Sequence, residues 1–372
     1  MKKFRTAVIG CGGISQVHLT ALSKMENVEL VSVADVKEDR AKAKAEAFQC
    51  AWTTDWSEYV RDPSIEVVHL CTPHYLHAPM AIALLDAGKR VLTEKPIASE
   101  VKDAEAMIAH ADGRLGVVFQ NRYNEASQII KSAVEQGTYG KLLSLRAAVN
   151  WHRTPEYYTE SGWRGRFATE GGGVLINQCP HQLDLLSWVV GEQPARVRGF
   201  CSYGKWHDVE VEDEVTAYLT YLSGATGVFV TTTGETPGTN RLEISGTGGK
   251  LLCEGDKLYY YKNKTDSGEF SRTAKEAFGR PEVVCEEPET DGKNPQHAGI
   301  INNFANALLG LEPFFVDGRE GINGVELMNA IELSGWRGGE EGSLPVDGEE
   351  YLRELTARRA TSRRKEDGGV VA

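Results

Sequence analysis

Two separated stretches carry residue types whose spacing suits one chemistry. The first is Gly10-Cys11-Gly12-Gly13-Ile14-Ser15, which follows an apolar run and opens a helical pattern. Gly10 permits a tight turn. Gly12 and Gly13 let the backbone approach a pyrophosphate, whose charge faces the helix that opens at Ile14. The third small position of a G-x-G-x-x-G fingerprint is Ser15, small enough for close helix–strand packing. The second stretch is Glu94-Lys95-Pro96, which ends a later apolar run. It puts a lysine at the carboxyl end of a strand, where open parallel sheets hold their ligands. Together the two imply a nicotinamide-dependent oxidoreductase. Asp35 ends the strand after the glycine turn. A carboxylate there accepts hydrogen bonds from ribose hydroxyls and repels a 2′-phosphate, which favours NAD over NADP. Lys37 and Arg40 lie close enough to offset that preference, and the structural alternative for Asp35 is a helix N-cap.

Oxidising a secondary alcohol sends hydride to a nicotinamide and a proton to a base. Lys95 is the candidate donor: an ammonium there could bridge the nicotinamide ribose and the substrate hydroxyl and lower the hydroxyl's pKa. The competing reading is a salt bridge with Glu94. His181 is the candidate base, because an imidazole titrates near neutral pH. Asp184 follows at i+3 and shares its face if 178–189 is a helix.

Elements that would position these groups alternate regularly. Strand-like runs at Thr6–Ile9, Leu30–Ala34, Val67–Leu70, Arg90–Thr93 and Gly116–Phe119 are separated by helical patterns at Ile14–Lys24, Glu38–Phe48, Met80–Asp86 and Val101–His110. That order predicts a parallel, doubly wound sheet. Beyond it, 142–149, 197–202, 215–222, 227–233, 241–245 and 257–261 are rich in β-formers and read as antiparallel meanders. Ala298–Leu309 and Val325–Ser334 return to helix. The polar stretch 265–293 reads as an irregular excursion. The basic tail after Thr356 reads as solvated.

At 372 residues the chain has room for two domains, expected at 1–121 and 122–372. Its 41 basic and 53 acidic side chains give a net charge of −12, which argues against a nucleic-acid partner. No apolar run reaches the length of a membrane span, and Met1-Lys2-Lys3 with the short run after it reads as a first strand, not a signal peptide. Seven cysteines, an odd number with no CxxC pair, fit unpaired thiols in a reducing cytoplasm.

The segments Cys71-Thr72-Pro73-His74-Tyr75-Leu76-His77 and Ala87 through Pro96 resemble the glucose–fructose oxidoreductase, inositol dehydrogenase and rhizopine-catabolism (Gfo/Idh/MocA) family. Asn121-Arg122-Tyr123-Asn124, Gly171-Gly172-Gly173-Val174-Leu175, His181 with Asp184, and Gly321 through Ser334 extend the resemblance along most of the chain. It implies an α/β Rossmann domain followed by an α+β domain with a large, mostly antiparallel open sheet, whose face often mediates oligomers, here a homodimer or homotetramer. It implies Lys95 and His181 as catalytic, and Thr72, Pro73, His77 and Glu94 as part of the cofactor side. One departure concerns position 177, four residues before the histidine: family members often have aspartate there, and this chain has Asn177. A neutral amide cannot stabilise an imidazolium as a carboxylate does, but Asn177 can still hydrogen-bond a sugar hydroxyl or fix the imidazole tautomer. That leaves Asp184 as a supporting or substrate-binding carboxylate, and both are taken as substrate-binding candidates. Arg122 and Trp163 are further substrate-binding candidates, with an ion pair and a plain interface as their respective alternatives. A metal reading of His74 and His77 is poor, and no metal is expected.

The expected activity is NAD(P)-dependent oxidoreduction of a sugar, cyclitol or sugar derivative. Two rivals are an NAD-dependent glycosidase with no net redox change and a non-catalytic cofactor-binding regulator.

Overall fold

The computed structural model describes residues 3–255, 257–290 and 294–362, so Met1, Lys2 and the basic residues Arg363, Arg364 and Lys365 lie outside the described residues. The chain divides into two compact units.

The first unit holds 1–123, 169–171 and 295–325. Its strands are β1 (Phe4–Ile9), β2 (Val28–Ala34), β3 (Ala51–Thr53), β4 (Val67–Leu70), β5 (Arg90–Thr93) and β6 (Leu115–Val117). They form one parallel sheet in the order β3-β2-β1-β4-β5-β6. Helices α1 (Ser15–Leu22), α2 (Glu38–Phe48), α3 (Glu58–Arg61), α4 (His77–Asp86) and α5 (Val101–Ala111) make the crossovers. Strands β4 and β5 are buried along nearly their whole length, as continuous Val/Leu runs covered on both faces must be. The order reverses between β1 and β4, and the glycine turn after β1 sits at that switch point, where such sheets bind ligands. The later segment returns to this unit with a helix over Gln296–Leu308 that packs on α1. Asn27 and Asn306 hydrogen-bond across that packing at 2.7 Å.

The second unit is built on nine strands: β7 (Leu142–Asn150), β8 (Arg196–Tyr203), β9 (Glu212–Thr220), β10 (Thr226–Thr232), β11 (Thr239–Gly246), β12 (Gly249–Glu254), β13 (Lys257–Asn263), β14 (Val283–Glu286) and β15 (Gly342–Ser343). Their order is β14-β13-β12-β11-β7-β10-β9-β8-β15, antiparallel except for β7 with β10. Along β9, buried Val215, Ala217 and Leu219 alternate with exposed Thr216 and Tyr218, so one sheet face is covered and the other is not. The helices are α6 (Glu125–Glu135), α7 (Pro155–Thr159), α8 (Val174–Asn177), α9 (Pro180–Val190) and α10 (Ser267–Thr273); with the returning helix as α11, α12 (Gly321–Trp336) and α13 (Gly348–Thr361) follow. At Gly199 on β8 a Cβ would run into the Ile331 carbonyl of α12, so only glycine allows that approach.

The stretch 265–293 is more regular than its polarity suggests. Asp266 caps α10 by accepting the Gly268 and Glu269 N–H groups. Among the described residues, strand β14 pairs only with β13 at the sheet edge and exposes every residue, so it carries no apolar alternation. Arg358 and Arg359 also belong to a helix, α13. Arg358 stacks 4.0 Å from the Trp336 ring centroid and pairs with Glu354.

Candidate active site

In the first unit the glycine turn has a shape that a dinucleotide fits. Gly10 has φ +94°, and a Cβ there would strike the Cys71 carbonyl, whose carbon would lie 2.7 Å away. Gly12 and Gly13 are open: nothing lies within 4 Å of where either Cβ would be. The turn therefore presents bare backbone beside α1, the arrangement an anion needs. Ser15 is buried and donates its hydroxyl to Gly12 O at 2.6 Å, pinning the turn from inside. Asp35 braces it from the other side. Its Oδ2 accepts the Cys11 N–H at 2.7 Å, and its Oδ1 accepts the Lys37 N–H at 2.8 Å. The N-cap position of α2 is Lys37, so Asp35 is not that cap. The Cys11 thiol is pushed up to about 12 by burial and by the Asp35 charge, which keeps it protonated and unreactive at neutral pH.

Thr72, Pro73 and His77 follow β4. His77 is fully buried, with Nδ1 2.8 Å from Pro96 O and Nε2 3.0 Å from Thr72 O. Burial holds its pKa down despite those carbonyls. It thus ties the end of β4 to the Glu94-Lys95-Pro96 turn, where the Lys95–Pro96 peptide is cis. Lys95 is half-buried there.

Glu94 does not pair with Lys95 through its ammonium. Its Oε2 accepts the Lys95 backbone N–H at 3.2 Å, while Oε1 lies 2.9 Å from His18 Nε2 and 3.3 Å from His297 Nε2. His18 Nδ1 in turn meets His69 Nδ1 at 2.9 Å. Burial alone would raise the Glu94 pKa, but hydrogen bonds and charge from His18 and His297 outweigh it and hold the carboxyl well below the usual range. His69 is driven well down by burial and by His18. His18, Glu94 and His297 bring three ligand-type atoms within 4.8 Å of one another. Two imidazole N–H groups on one carboxylate oxygen account for that arrangement by hydrogen bonding. Arg122 is buried, ion-paired with Glu320 and 5.6 Å from the Phe119 ring centroid, the geometry of its structural alternative.

In the second unit Gly173 leads into α8, which ends at Asn177, and α9 then carries His181 and Asp184 one turn apart. All three side chains are buried. Asn177 Oδ1 accepts the Tyr157 hydroxyl at 3.1 Å, and that hydroxyl accepts Gln178 Nε2 at 3.1 Å. Trp163 is half-buried, with the Arg164 guanidinium 5.1 Å from its ring centroid. Below the glycine segment lies a buried carboxyl pair. Glu212 of β9 accepts the Gly173 N–H at 2.8 and 2.9 Å and the Leu175 N–H at 3.0 Å. Glu332 of α12 faces it and accepts the Tyr351 hydroxyl at 2.5 Å. Any Cβ on Gly172 would strike Glu332, and on Gly173 it would strike the Glu212 carbonyl, which explains why these positions are glycine. Burial raises Glu212 to about 7 against its backbone hydrogen bonds; burial and the Glu212 charge push Glu332 well above the ordinary range. Cys201 and Tyr203, which face the pair, are raised by burial and stay neutral, and the Arg358 charge works the other way on Glu332.

Two family models match the chain. One, described as an oxidoreductase family with an NAD-binding Rossmann fold, covers residues 4–123. The other, the C-terminal domain of the same family, covers residues 127–252. The chain belongs to the Gfo/Idh/MocA oxidoreductase family. Among curated relatives, levoglucosan dehydrogenase of Pseudarthrobacter phenanthrenivorans is 28% identical over 293 residues, covering 68% of this chain and 74% of that protein. Myo-inositol 2-dehydrogenase of Thermotoga maritima is 28% identical over 261 residues, covering 67% and 75%. Among solved structures, the WlbA dehydrogenase of Bordetella pertussis, in complex with NADH and UDP-GlcNAcA, superposes with TM-score 0.79 at 29% identity over 93% of this chain and 100% of that one. The Rossmann sheet and the second, mostly antiparallel sheet expected from the sequence are those of this Gfo/Idh/MocA protein.

The glycine turn, Asp35, Lys95, His181 and Asp184 stand out in the sequence itself, and Asn177 through the family resemblance. His18, His69, His297, Glu212 and Glu332 do not. No local signal marks them, because each meets a partner from another element, as His18 meets Glu94 from 76 residues away.

Proposed function

We propose that this protein is an NAD-dependent dehydrogenase that moves hydride between a secondary alcohol of a sugar, cyclitol or sugar derivative and nicotinamide. The single observation that carries the cofactor half is the bare Gly12–Gly13 turn beside the Asp35 carboxylate, matched by the NAD-binding family model. Backbone at Gly12, Gly13 and Ile14 would hold the pyrophosphate, Asp35 the ribose hydroxyls, and Thr72, Pro73 and Lys95 the nicotinamide side. When bound, NAD supplies the hydride acceptor. Lys95 donates a hydrogen bond to the substrate oxygen and stabilises developing alkoxide. His181 takes the hydroxyl proton onto an imidazole nitrogen. Asn177, its oxygen held by Tyr157, and Asp184 orient the remaining hydroxyls. The relatives named above are dehydrogenases, which favours net oxidation over the glycosidase and regulator readings.

Two further features bear on assembly and setting. Tyr218 and Val228, paired across β9 and β10, and Phe200 on β8 expose apolar side chains on the uncovered sheet face, which supports a homodimer or homotetramer. A monomer mass by light scattering at micromolar concentration would rule that out. All seven cysteines are free thiols, which supports a reducing, cytoplasmic setting, and no described helix is long and apolar enough to cross a membrane.

The test is absorbance at 340 nm with NAD and NADP in parallel against a panel of sugars and cyclitols. Turnover of a polyol with preference for NAD supports the reading. Silence across the panel with NAD binding intact would refute it.

A further inference from the structure

The proposed reading leaves the substrate's charge open, and the second unit speaks to it. Arg153 and Arg164 are both half-buried and both stack on Tyr157, the residue that holds Asn177. The Arg164 guanidinium lies 4.2 Å from the Tyr157 ring centroid and 5.1 Å from that of Trp163. Arg153 lies 5.2 Å from Tyr157 and 5.3 Å from Trp151. Neither guanidinium meets a carboxylate among the described residues. Their hydrogen bonds go to backbone oxygens, Arg153 Nη1 to His152 O at 3.1 Å and Arg164 Nη1 to Tyr157 O at 3.5 Å, and both Nε atoms are buried without a partner. Several of the chain's other shielded arginines do meet a carboxylate, although half-buried Arg114 likewise bonds to backbone oxygens, those of Leu85 and Lys89. Arg122 pairs with Glu320, Arg166 with Glu210 and Arg358 with Glu354. In a protein with an excess of acidic side chains, two guanidiniums without a carboxylate, both near the Tyr157 ring, suit an anionic partner. Stacking on aromatic faces fixes the planes but neutralises no charge, and it leaves the outer N–H groups of each fork free to grip an anion.

We infer that Arg153 and Arg164 form an anion subsite beside Asn177, so that the substrate of the proposed reaction is an acidic sugar derivative carrying a carboxylate or a phosphate. The inference rests on the dehydrogenase reading of the same site. Asn177 and His181 address the ring hydroxyls, while the arginines, presented by the segment between β7 and α8, take the charged substituent. A fork-shaped guanidinium suits both anions, since each offers two oxygens to parallel N–H donors.

The experiment compares matched substrates under one set of conditions: a hexose, its uronate and its 6-phosphate, each with NAD at 340 nm, for the unaltered protein and for Arg164→Gln, Arg153→Gln and Arg164→Lys. A charge-assisted hydrogen bond in a half-buried site corresponds to roughly 10- to 100-fold in affinity. The expected result is that the uronate or the phosphate exceeds the hexose in kcat/KM by at least about 10-fold. Whichever arm wins identifies the anion. In either glutamine variant the acid-to-hexose ratio should fall by about that factor, mainly through KM, and Arg164→Lys should restore part of it. Two results overturn the subsite while leaving the dehydrogenase reading intact: the hexose turned over as well as its acids by the unaltered protein, or glutamine variants that lower all arms equally. No turnover in any arm, with NAD binding confirmed, overturns both.

Discussion

Glu212 should make the stability of this protein fall as pH rises through the weakly acidic range. Its carboxyl is fully buried against Glu332 and is raised from 4.5 to about 7. Between those values the folded protein keeps a proton that the unfolded chain has released. Stability then changes with pH in the sense of protons bound unfolded minus protons bound folded, which is negative, so stability drops with increasing pH. The contribution is fully favourable below 4.5 and is lost as pH passes about 7. Each tenfold change in proton affinity between the two states corresponds to ~1.4 kcal/mol, so the whole swing is about 3 kcal/mol. Replacing Glu212 with glutamine removes the titration while keeping one carbonyl oxygen for the Gly173 and Leu175 N–H groups. Urea unfolding midpoints at pH 5, 6, 7 and 8 provide the assay. Between pH 5 and pH 8 the unaltered protein should lose about 2–3 kcal/mol of stability relative to the variant, whose profile lacks this titration. Two pH profiles running parallel would refute the argument, because they would mean that Glu212 binds no more protons in the fold than out of it.

Glu94 should show the opposite sign. The fold holds it ionised below its usual 4.5, so its contribution is complete above that value and is lost as pH falls through the folded pKa. Glu94→Gln leaves His18 and His297 without their shared anion and should cost about 3 kcal/mol near neutrality, read by urea unfolding, and flatten the acid limb of the stability profile. Gly10→Ala combines a φ of +94° with a Cβ driven into the Cys71 carbonyl, and should cost about 2–4 kcal/mol in the same assay. Asp35→Ala removes both the acceptor of the Cys11 N–H and the proposed partner of the ribose hydroxyls. It should raise the KM for NAD by roughly 10-fold or more and narrow the preference over NADP, measured by initial rates with each cofactor.

The first unit was legible because its signals are local. The Val67–Leu70 and Arg90–Thr93 runs are strands with those same bounds, and the glycine turn falls between β1 and α1 as its spacing demands. Helix α9 begins at Pro180 and not at 178, because Asn177 closes the separate short helix α8. His181 and Asp184 still lie one turn apart on that helix. What stayed hidden depends on distant partners. Strand β12 pairs on both sides with β11 and β13, and its stretch carries no strong alternation of its own. The return of 295–325 to the first unit brings His297 to Glu94, a meeting that nothing near either residue announces. Glu212 reads as one acid in the run Glu210-Val211-Glu212-Asp213-Glu214, yet it is buried under the Gly172–Gly173 segment, while half-buried Glu214 pairs with Lys205. Burial of a charge is set by what packs above it, and sequence spacing does not carry that.

The most direct test of the central claim is Lys95→Ala assayed at 340 nm with NAD and the best substrate of the panel, alongside NADH binding measured by fluorescence titration. Loss of the group proposed to stabilise the developing alkoxide should lower kcat by about 10²- to 10⁴-fold while the protein still binds NADH. A variant that binds the cofactor and turns over at the unaltered rate would contradict the assignment of Lys95, and with it the mechanism built on the Glu94-Lys95-Pro96 turn.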